Sequence, residues 1–199
     1  MELVGRVAEL VCWGVFAAVW IAGAIYNARR APVATARGNL AGVWLLGVGA
    51  YLLMWWALPL SLWRAMSVRS DWSVGLGMAL LAGGTAFTVW ARVELGTMWT
   101  GTVVVKQGHR LVTSGPYRIT RHPIYTGMLG MLCGTVLIEG LGRWLVVLVV
   151  ATFLLVGKVR AEERLLCREL GEAYLDYRRR VPALVPVPTR PGRDGGSGV

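Results

Sequence analysis

Cysteine and histidine are the scarce residues of this 199-residue chain. Its three cysteines, Cys12, Cys133 and Cys167, stand far apart with no CxxC pair, so they read as apolar fillers of helices and not as a disulfide framework or a redox motif. His109 and His122 are the two histidines, too few for a zinc or haem centre built from protein ligands, and no metal is expected. No glycine-rich fingerprint follows a strand pattern, which excludes a soluble nucleotide-binding α/β fold. Acid is also short, with 11 Asp and Glu against 21 Lys and Arg, for a formal charge of +10. The basic residues interrupt and flank apolar spans instead of clustering in a soluble domain, so no nucleic-acid partner is expected. A signal peptide is a poor description of the N-terminus. Glu2, Arg6 and Glu9 spoil a positive leader region and the apolar stretch runs on to Tyr26, so a retained helix is expected.

Apolar residues are what the chain has in quantity, 55% of the total with a mean hydropathy of +0.54. These values point to a bilayer as solvent. Spans over residues 8 to 26, 40 to 63 and 73 to 91 reach the roughly 20 residues a hydrocarbon core demands. Residues 124 to 138 and 144 to 157 are shorter and read as a tight helical hairpin. The expected fold is all-α and integral to the membrane, with about five transmembrane helices and a cytoplasmic C-terminal amphipathic helix. With five crossings, residues 27 to 39, 92 to 123 and the C-terminal region share one side. Lys and Arg divide 17 to 4 in favour of that side, which assigns it to the cytoplasm and the N-terminus to the outside.

Small residues predict close helix packing: Gly130 and Gly134 form a GxxxG, and Ala79 with Gly83 and Gly84 gives residues 73 to 91 a small-residue face. Gly130 and Gly134 could instead line an apolar gap through which a lipid tail enters sideways. Most of the ten tryptophans lie toward span ends and are expected at headgroup level. From Lys158 to Arg180 the pattern becomes a charged amphipathic helix, with Leu165, Leu166, Leu170, Tyr174 and Tyr177 at helical spacing. Three regions follow: 1 to 91, an N-terminal three-helix membrane region; 92 to 186, carrying the polar motifs; and 187 to 199, a tail too rich in Gly and Pro to build a core.

The polar segment GHRLVTSGPYRITRHPIYTG, Gly108 to Gly127, is wedged between apolar helices. Glu162-Glu163, Gly171, Tyr174, Tyr177 and Val181-Pro182 follow in order. From about Leu95 to Pro186 this series resembles the isoprenylcysteine carboxyl methyltransferase family, integral-membrane S-adenosylmethionine enzymes that share a cofactor-binding half with phospholipid N-methyltransferases. The resemblance implies a cofactor pocket for S-adenosylmethionine built from His109, Leu111, Gly115, Tyr117, His122, Pro123, Tyr125, Gly127, Glu162 and Glu163. It implies Arg121, His122 and Glu163 as the catalytic group. Adjacent helical residues point about 100° apart, so one of Glu162 and Glu163 is expected to touch cofactor while the other pairs with Arg160 or Arg164, or orients the first. Pro123 suits a first helical turn, His122 could cap it or bond the cofactor, and the N–H groups there could hold a carboxylate.

The implied activity is methyl transfer to a lipophilic or lipidated acceptor at the cytoplasmic face of a membrane, expected to be a bacterial inner membrane. An isoprenylcysteine-like carboxylate, a prenyl lipid and a phenolic lipid all stay open. A carboxylate attacking a sulfonium needs no general base, whereas an amine or phenol must shed a proton to one of the histidines or glutamates. Phospholipid N-methylation, an NADPH-dependent sterol-type reductase and a non-catalytic membrane scaffold are the alternatives. Membrane lipids are the other expected partners, and the sequence does not give an oligomeric state.

Overall fold

The computed structural model describes residues 1–30, 34–37, 70–99, 104–106 and 111–185, together with scattered positions between 49 and 69. The expected span over 40 to 63 falls mostly outside the described residues, as do His109 and the tail from 187 onward. Helix α1 covers Glu2–Arg30, α2 Asp71–Leu95, α3 Pro123–Glu139, α4 Gly142–Leu170 and α5 Glu172–Arg180. Among them α1, α2 and α4 are long and apolar enough to cross a membrane, and α3 is a shorter apolar helix. The all-α membrane fold expected from the composition is therefore observed. Strands β1 (Ala34–Arg37) and β2 (Val104–Lys106) add a small antiparallel ladder, which ties the connection after α1 to the connection after α2.

The second arm of the hairpin differs from expectation. Helix α4 does not stop near Gly157 but runs unbroken for 29 residues, about 43 Å at the α-helical rise. That exceeds a hydrocarbon core of roughly 30 Å, so its C-terminal part, from Lys158, projects beyond the apolar layer. No residue between Gly157 and Leu170 breaks the i→i−4 ladder, and charge alone does not end a helix. The break comes at Gly171, whose φ of +53° an L side chain rarely adopts. The expected continuous surface helix is thus the end of α4 plus the short α5.

Helices α1 and α2 run parallel: Gly5 meets Val74 near their starts and Gly23 meets Arg92 near their ends. Helices α2 and α3 are antiparallel, and their seam is made by Gly77 and Gly84 against Gly134 and Gly127. An added Cβ would lie 2.8 Å from the Gly134 carbonyl oxygen at Gly77 and 2.7 Å from the Gly127 carbonyl oxygen at Gly84. Leu81 and Met131 are fully buried between these contacts. The expected face was shifted. Ala79 and Gly83 are exposed, because a seven-residue step, not the pair Gly83-Gly84, keeps a helix facing one neighbour. Gly130 has ordinary contacts at 3.7 Å and beyond, whereas a Cβ on Gly134 would meet the Gly77 carbonyl oxygen at 2.6 Å. Gly134 therefore belongs to the helix seam and lines no gap. Trp56, Trp72 and Trp90 are exposed as interfacial anchors should be, but Trp13 donates to Thr135 Oγ1 at 3.1 Å and Trp99 packs inside the bundle.

Candidate functional site

The ends of α2 and α4, the start of α3, and α5 converge at one end of the bundle. Gly115 opens a 3-10 turn, Gly115–Arg118, with φ +53°. A Cβ there would press on the Glu94 carboxyl carbon at 3.1 Å, so glycine answers both a backbone and a space requirement. The turn buries Tyr117, whose hydroxyl donates to the Ala91 carbonyl at 3.4 Å and whose own carbonyl accepts from Tyr177 Oη at 2.7 Å. Ser114 Oγ donates to Glu94 at 2.5 Å. These contacts fasten the motif segment to α2 below and to α5 above.

Pro123 opens α3 with its fixed φ, and His122 is the N-cap residue but makes no side-chain cap hydrogen bond. The imidazole turns instead toward α4. Its Nδ1 lies 3.5 Å from Glu162 Oε2 and its Nε2 3.4 Å from Glu163 Oε1, with the ring 7% exposed. Tyr125 stacks beside it, ring centroids 5.7 Å apart at an angle of 12°, and donates from its hydroxyl to Glu162 Oε1 at 2.6 Å. Lys158 Nζ sits 5.3 Å above the Tyr125 ring. Burial acts to lower the His122 pKa, but the two glutamate carboxylates lying against the ring outweigh it and hold the imidazole above its ordinary 6.5.

The two glutamates point apart as one helical step predicts, but the arginine that holds Glu163 is Arg121 of the motif segment and not the expected Arg160 or Arg164 of its own helix. Glu163 Oε1 accepts from Arg121 Nε at 2.9 Å and from a second Arg121 nitrogen at 2.6 Å. Arg178 approaches its other oxygen at 3.6 Å. The 3.4 Å approach of His122 Nε2 to Oε1 is an ion-pair contact without hydrogen-bond geometry, and Nε2 is a buried atom without a hydrogen-bond partner. Among the described residues Glu162 is held only by Tyr125 and the long His122 contact, with its side chain 20% exposed.

A strap formed by residues 181 to 185 crosses the start of α3. Arg121 N–H donates to the Pro182 carbonyl at 2.8 Å, His122 N–H to Ala183 at 3.1 Å, and Thr126 Oγ1 to Leu184 at 2.7 Å. Arg121 also donates to the Val181 carbonyl and, at 3.0 Å, to that of Arg178. The N–H groups of Arg121 and His122, which lead into α3, are therefore taken by main chain. Sequence reasoning missed this strap, whose only signal was the Val181-Pro182 pair after α5.

Of the remaining residues singled out by sequence, Gly115, Tyr117, Pro123 and Tyr125 join Arg121, His122, Glu162 and Glu163 in this assembly. Leu111 is half-buried in the irregular chain before the turn. Gly127 faces the α2 seam, where a Cβ would sit 2.0 Å from Thr88 Oγ1. Sequence reasoning also passed over Arg92 as a site residue. It is 5% exposed, lies with its guanidinium 4.4 Å from the Trp99 ring centre and donates one bond, to the Gly96 carbonyl at 3.0 Å.

A membrane helical bundle that closes a buried Arg-His-Glu-Glu cluster beneath a main-chain strap is the class this fold defines. Residues 76–168, just under half of the chain, match the model of the isoprenylcysteine carboxyl methyltransferase (ICMT) family. It is 30% identical over 119 residues to protein-S-isoprenylcysteine O-methyltransferase B of Arabidopsis thaliana, covering 58% of this chain and 60% of the relative. It is also 30% identical over 169 residues to methanethiol S-methyltransferase 2 of Bradyrhizobium diazoefficiens, covering 80% and 62%. The chain thus spans less than two thirds of the length of these relatives. The fold is similar to that of the solved eukaryotic intramembrane Ras methyltransferase ICMT, with TM-score 0.54 and 21% identity over 75% of this chain and 54% of that one.

Proposed function

We propose that this chain is an S-adenosylmethionine-dependent methyltransferase whose cofactor is held at the strap-covered end of the bundle and whose acceptor is lipophilic. The observation that carries the reading is the juxtaposition of a buried atom with no hydrogen-bond partner, His122 Nε2, and a Glu162 carboxylate not consumed by arginine among the described residues. This donor set fits the cofactor. Glu162 suits an ammonium or ribose hydroxyls and places negative charge near a sulfonium, His122 Nε2 offers one more polar contact, and the Tyr117 and Tyr125 region supplies apolar surface. Arg121 and Glu163 hold His122 and the strap in register, so they are positioning residues here.

When bound, S-adenosylmethionine supplies an electrophilic methyl carbon: an acceptor lone pair forms the new bond as the S–CH3 bond breaks and its electron pair returns to sulfur. The protein's share is orientation and exclusion of water, worth several kcal/mol or more. The family-model match and relatives named as O- and S-methyltransferases favour a carboxylate or thiol acceptor, and phospholipid N-methylation gains nothing from them. In this reading residues 92 to 186, which include the last turn of α2, form the cofactor-binding region. The site faces the cytoplasm, in keeping with the 17 to 4 division of Lys and Arg.

Calorimetry on the detergent-purified protein tests the cofactor. S-adenosylhomocysteine should bind and NADPH should not, and the reverse would make the chain a reductase. Transfer of labelled methyl to N-acetyl-S-farnesylcysteine, methanethiol or phosphatidylethanolamine then separates the acceptor classes.

A further inference from the structure

Helix α4 has two working faces where it leaves the apolar layer. One carries Glu162 and Glu163 into the site described above. On another lie Arg160, Arg164 and Arg168, all exposed. At about 100° per residue, four-residue steps drift only about 40° each, so the three arginines form a single stripe. Glu162 stands about 160° and Glu163 about 100° round the helix from Arg164. Among the described residues none of the three forms an ion pair, whereas Arg69, Arg121, Arg178, Arg179 and Arg180 each have an acidic partner. Every acidic residue of the chain except Asp194 is described. Arg164 Nε donates to the Arg160 carbonyl at 3.2 Å, a bond that lays the side chain along its own helix but brings no countercharge.

Like charges four residues apart repel along a helix, and here two such pairs follow in series. The stripe therefore calls for an anion from outside the bundle. Its position decides which one. Counted at about 1.5 Å per residue from Lys158, the Cα atoms of Arg160, Arg164 and Arg168 stand about 3, 9 and 15 Å beyond the apolar layer. The headgroup layer is roughly 5 to 7 Å deep, so even Arg168 lies within about one Debye length of it. Helical side chains also lean toward the helix N-terminus. Helix α4 starts at Gly142 and reaches the stripe through the bilayer, so the guanidinium groups lean back onto the leaflet from which it emerges and away from a partner in solution. A guanidinium fork matches the two free oxygens of a phosphodiester.

We propose that Arg160, Arg164 and Arg168 bind anionic phospholipid headgroups and that this clamp sets the affinity of the neighbouring site for its cofactor. The coupling runs through the helix itself. Glu163 is bonded to Arg121 and Glu162 to Tyr125, so one face of this stretch of α4 is fastened to the start of α3. Lipid bound to the stripe fixes the same turns from the other side and holds both carboxylates in place. Without it, repulsion among the arginines works against the last turns of α4, and the glutamates move with them. The site thereby answers to the charge of its own leaflet. The inference rests on the methyltransferase reading for the cofactor, though not for the lipid contact.

The protein in nanodiscs of phosphatidylcholine alone, or of phosphatidylcholine mixed with phosphatidylglycerol, tests both halves. Anionic lipid contributes about fivefold in affinity per basic residue near the surface, and part of this reaches the site. Wild type should bind S-adenosylhomocysteine roughly three- to tenfold more tightly with phosphatidylglycerol present, and amide hydrogen exchange over residues 160 to 170 should slow. The triple variant Arg160→Gln, Arg164→Gln, Arg168→Gln should show the same affinity and the same exchange in both bilayers. Arg179→Gln with Arg180→Gln, on α5, should keep both responses, which separates the stripe from basic charge in general. A wild type indifferent to phosphatidylglycerol, a response that survives in the triple variant, or one that inorganic phosphate reproduces in phosphatidylcholine overturns the proposal. Slower exchange with unchanged S-adenosylhomocysteine affinity overturns the coupling to the site. Failure to bind S-adenosylhomocysteine in either bilayer removes the methyltransferase reading instead, and the exchange measurement still decides the lipid contact.

Discussion

Arg121 places two of its nitrogens on a single oxygen of Glu163, at 2.9 and 2.6 Å, from the opposite side of the site. Its remaining nitrogen reaches the carbonyls of Arg178 and Val181. One side chain thereby joins the start of α3, the projecting end of α4, and the chain leaving α5. With side chains 8% and 12% exposed, the pair is desolvated enough that each partner depends on the other.

Removing one partner should therefore cost more than removing both. Arg121→Met should destabilise the detergent-solubilised protein by about 3 kcal/mol or more, because it strands a buried carboxylate. The double variant Arg121→Met with Glu163→Gln should recover part of that loss. Thermal unfolding of the four proteins measures the coupling, and strictly additive losses would show that the pair contributes nothing as a unit.

The pH dependence follows from His122. Its folded pKa is raised above 6.5 by the two glutamates against the pull of burial, so its contribution to stability is complete below the unfolded value and fades as pH rises through the folded one. The melting temperature should decline from about pH 6.5 upward in the wild type, and the decline should be shallower in His122→Gln. A wild-type profile that is flat over this window, or the same fall in the variant, would contradict the assigned pairing.

What could be seen in the sequence divides along physical lines. Span lengths and the order of motifs report solvent and chemistry directly, so the membrane helices, the RHP turn and the glutamate pair were legible before any coordinates. The length of α4 was not, because hydropathy marks where apolar character ends and not where the backbone ladder ends. The partners of Arg121 and Glu163 were not legible either, since a contact across 42 residues leaves no periodicity. Arg92 was hidden for the opposite reason. In a chain with 21 basic residues, one arginine near a span end looks like topology until its burial is known.

The glycines of α3 give a third expectation. Gly127→Ala and Gly134→Ala place a Cβ 2.0 and 2.6 Å from atoms of α2, whereas Gly130→Ala meets nothing nearer than 3.7 Å. Overpacking should cost the first two about 1 to 3 kcal/mol each. Gly130→Ala should be neutral or slightly stabilising through its better helix propensity. Equal melting temperatures for all three variants would mean that the α2 and α3 seam is looser than these distances imply.

The last prediction separates the two glutamates. Glu163 is bound to Arg121 and faces Arg178, so Glu163→Gln should act mainly on stability, lowering the melting temperature while S-adenosylhomocysteine affinity falls only as far as the site loosens. Among the described residues Glu162 has no arginine partner, and its bond from Tyr125 would persist to the amide oxygen of a glutamine. Glu162→Gln should therefore leave the melting temperature close to wild type and weaken S-adenosylhomocysteine binding by about 1.5 to 3 kcal/mol, the cost of losing a hydrogen bond to a charged group. Calorimetry and thermal unfolding on the same preparations give both quantities. If Glu162→Gln binds S-adenosylhomocysteine as the wild type does while Glu163→Gln does not, the roles are reversed, and the carboxylate that meets the cofactor is the one now held by Arg121.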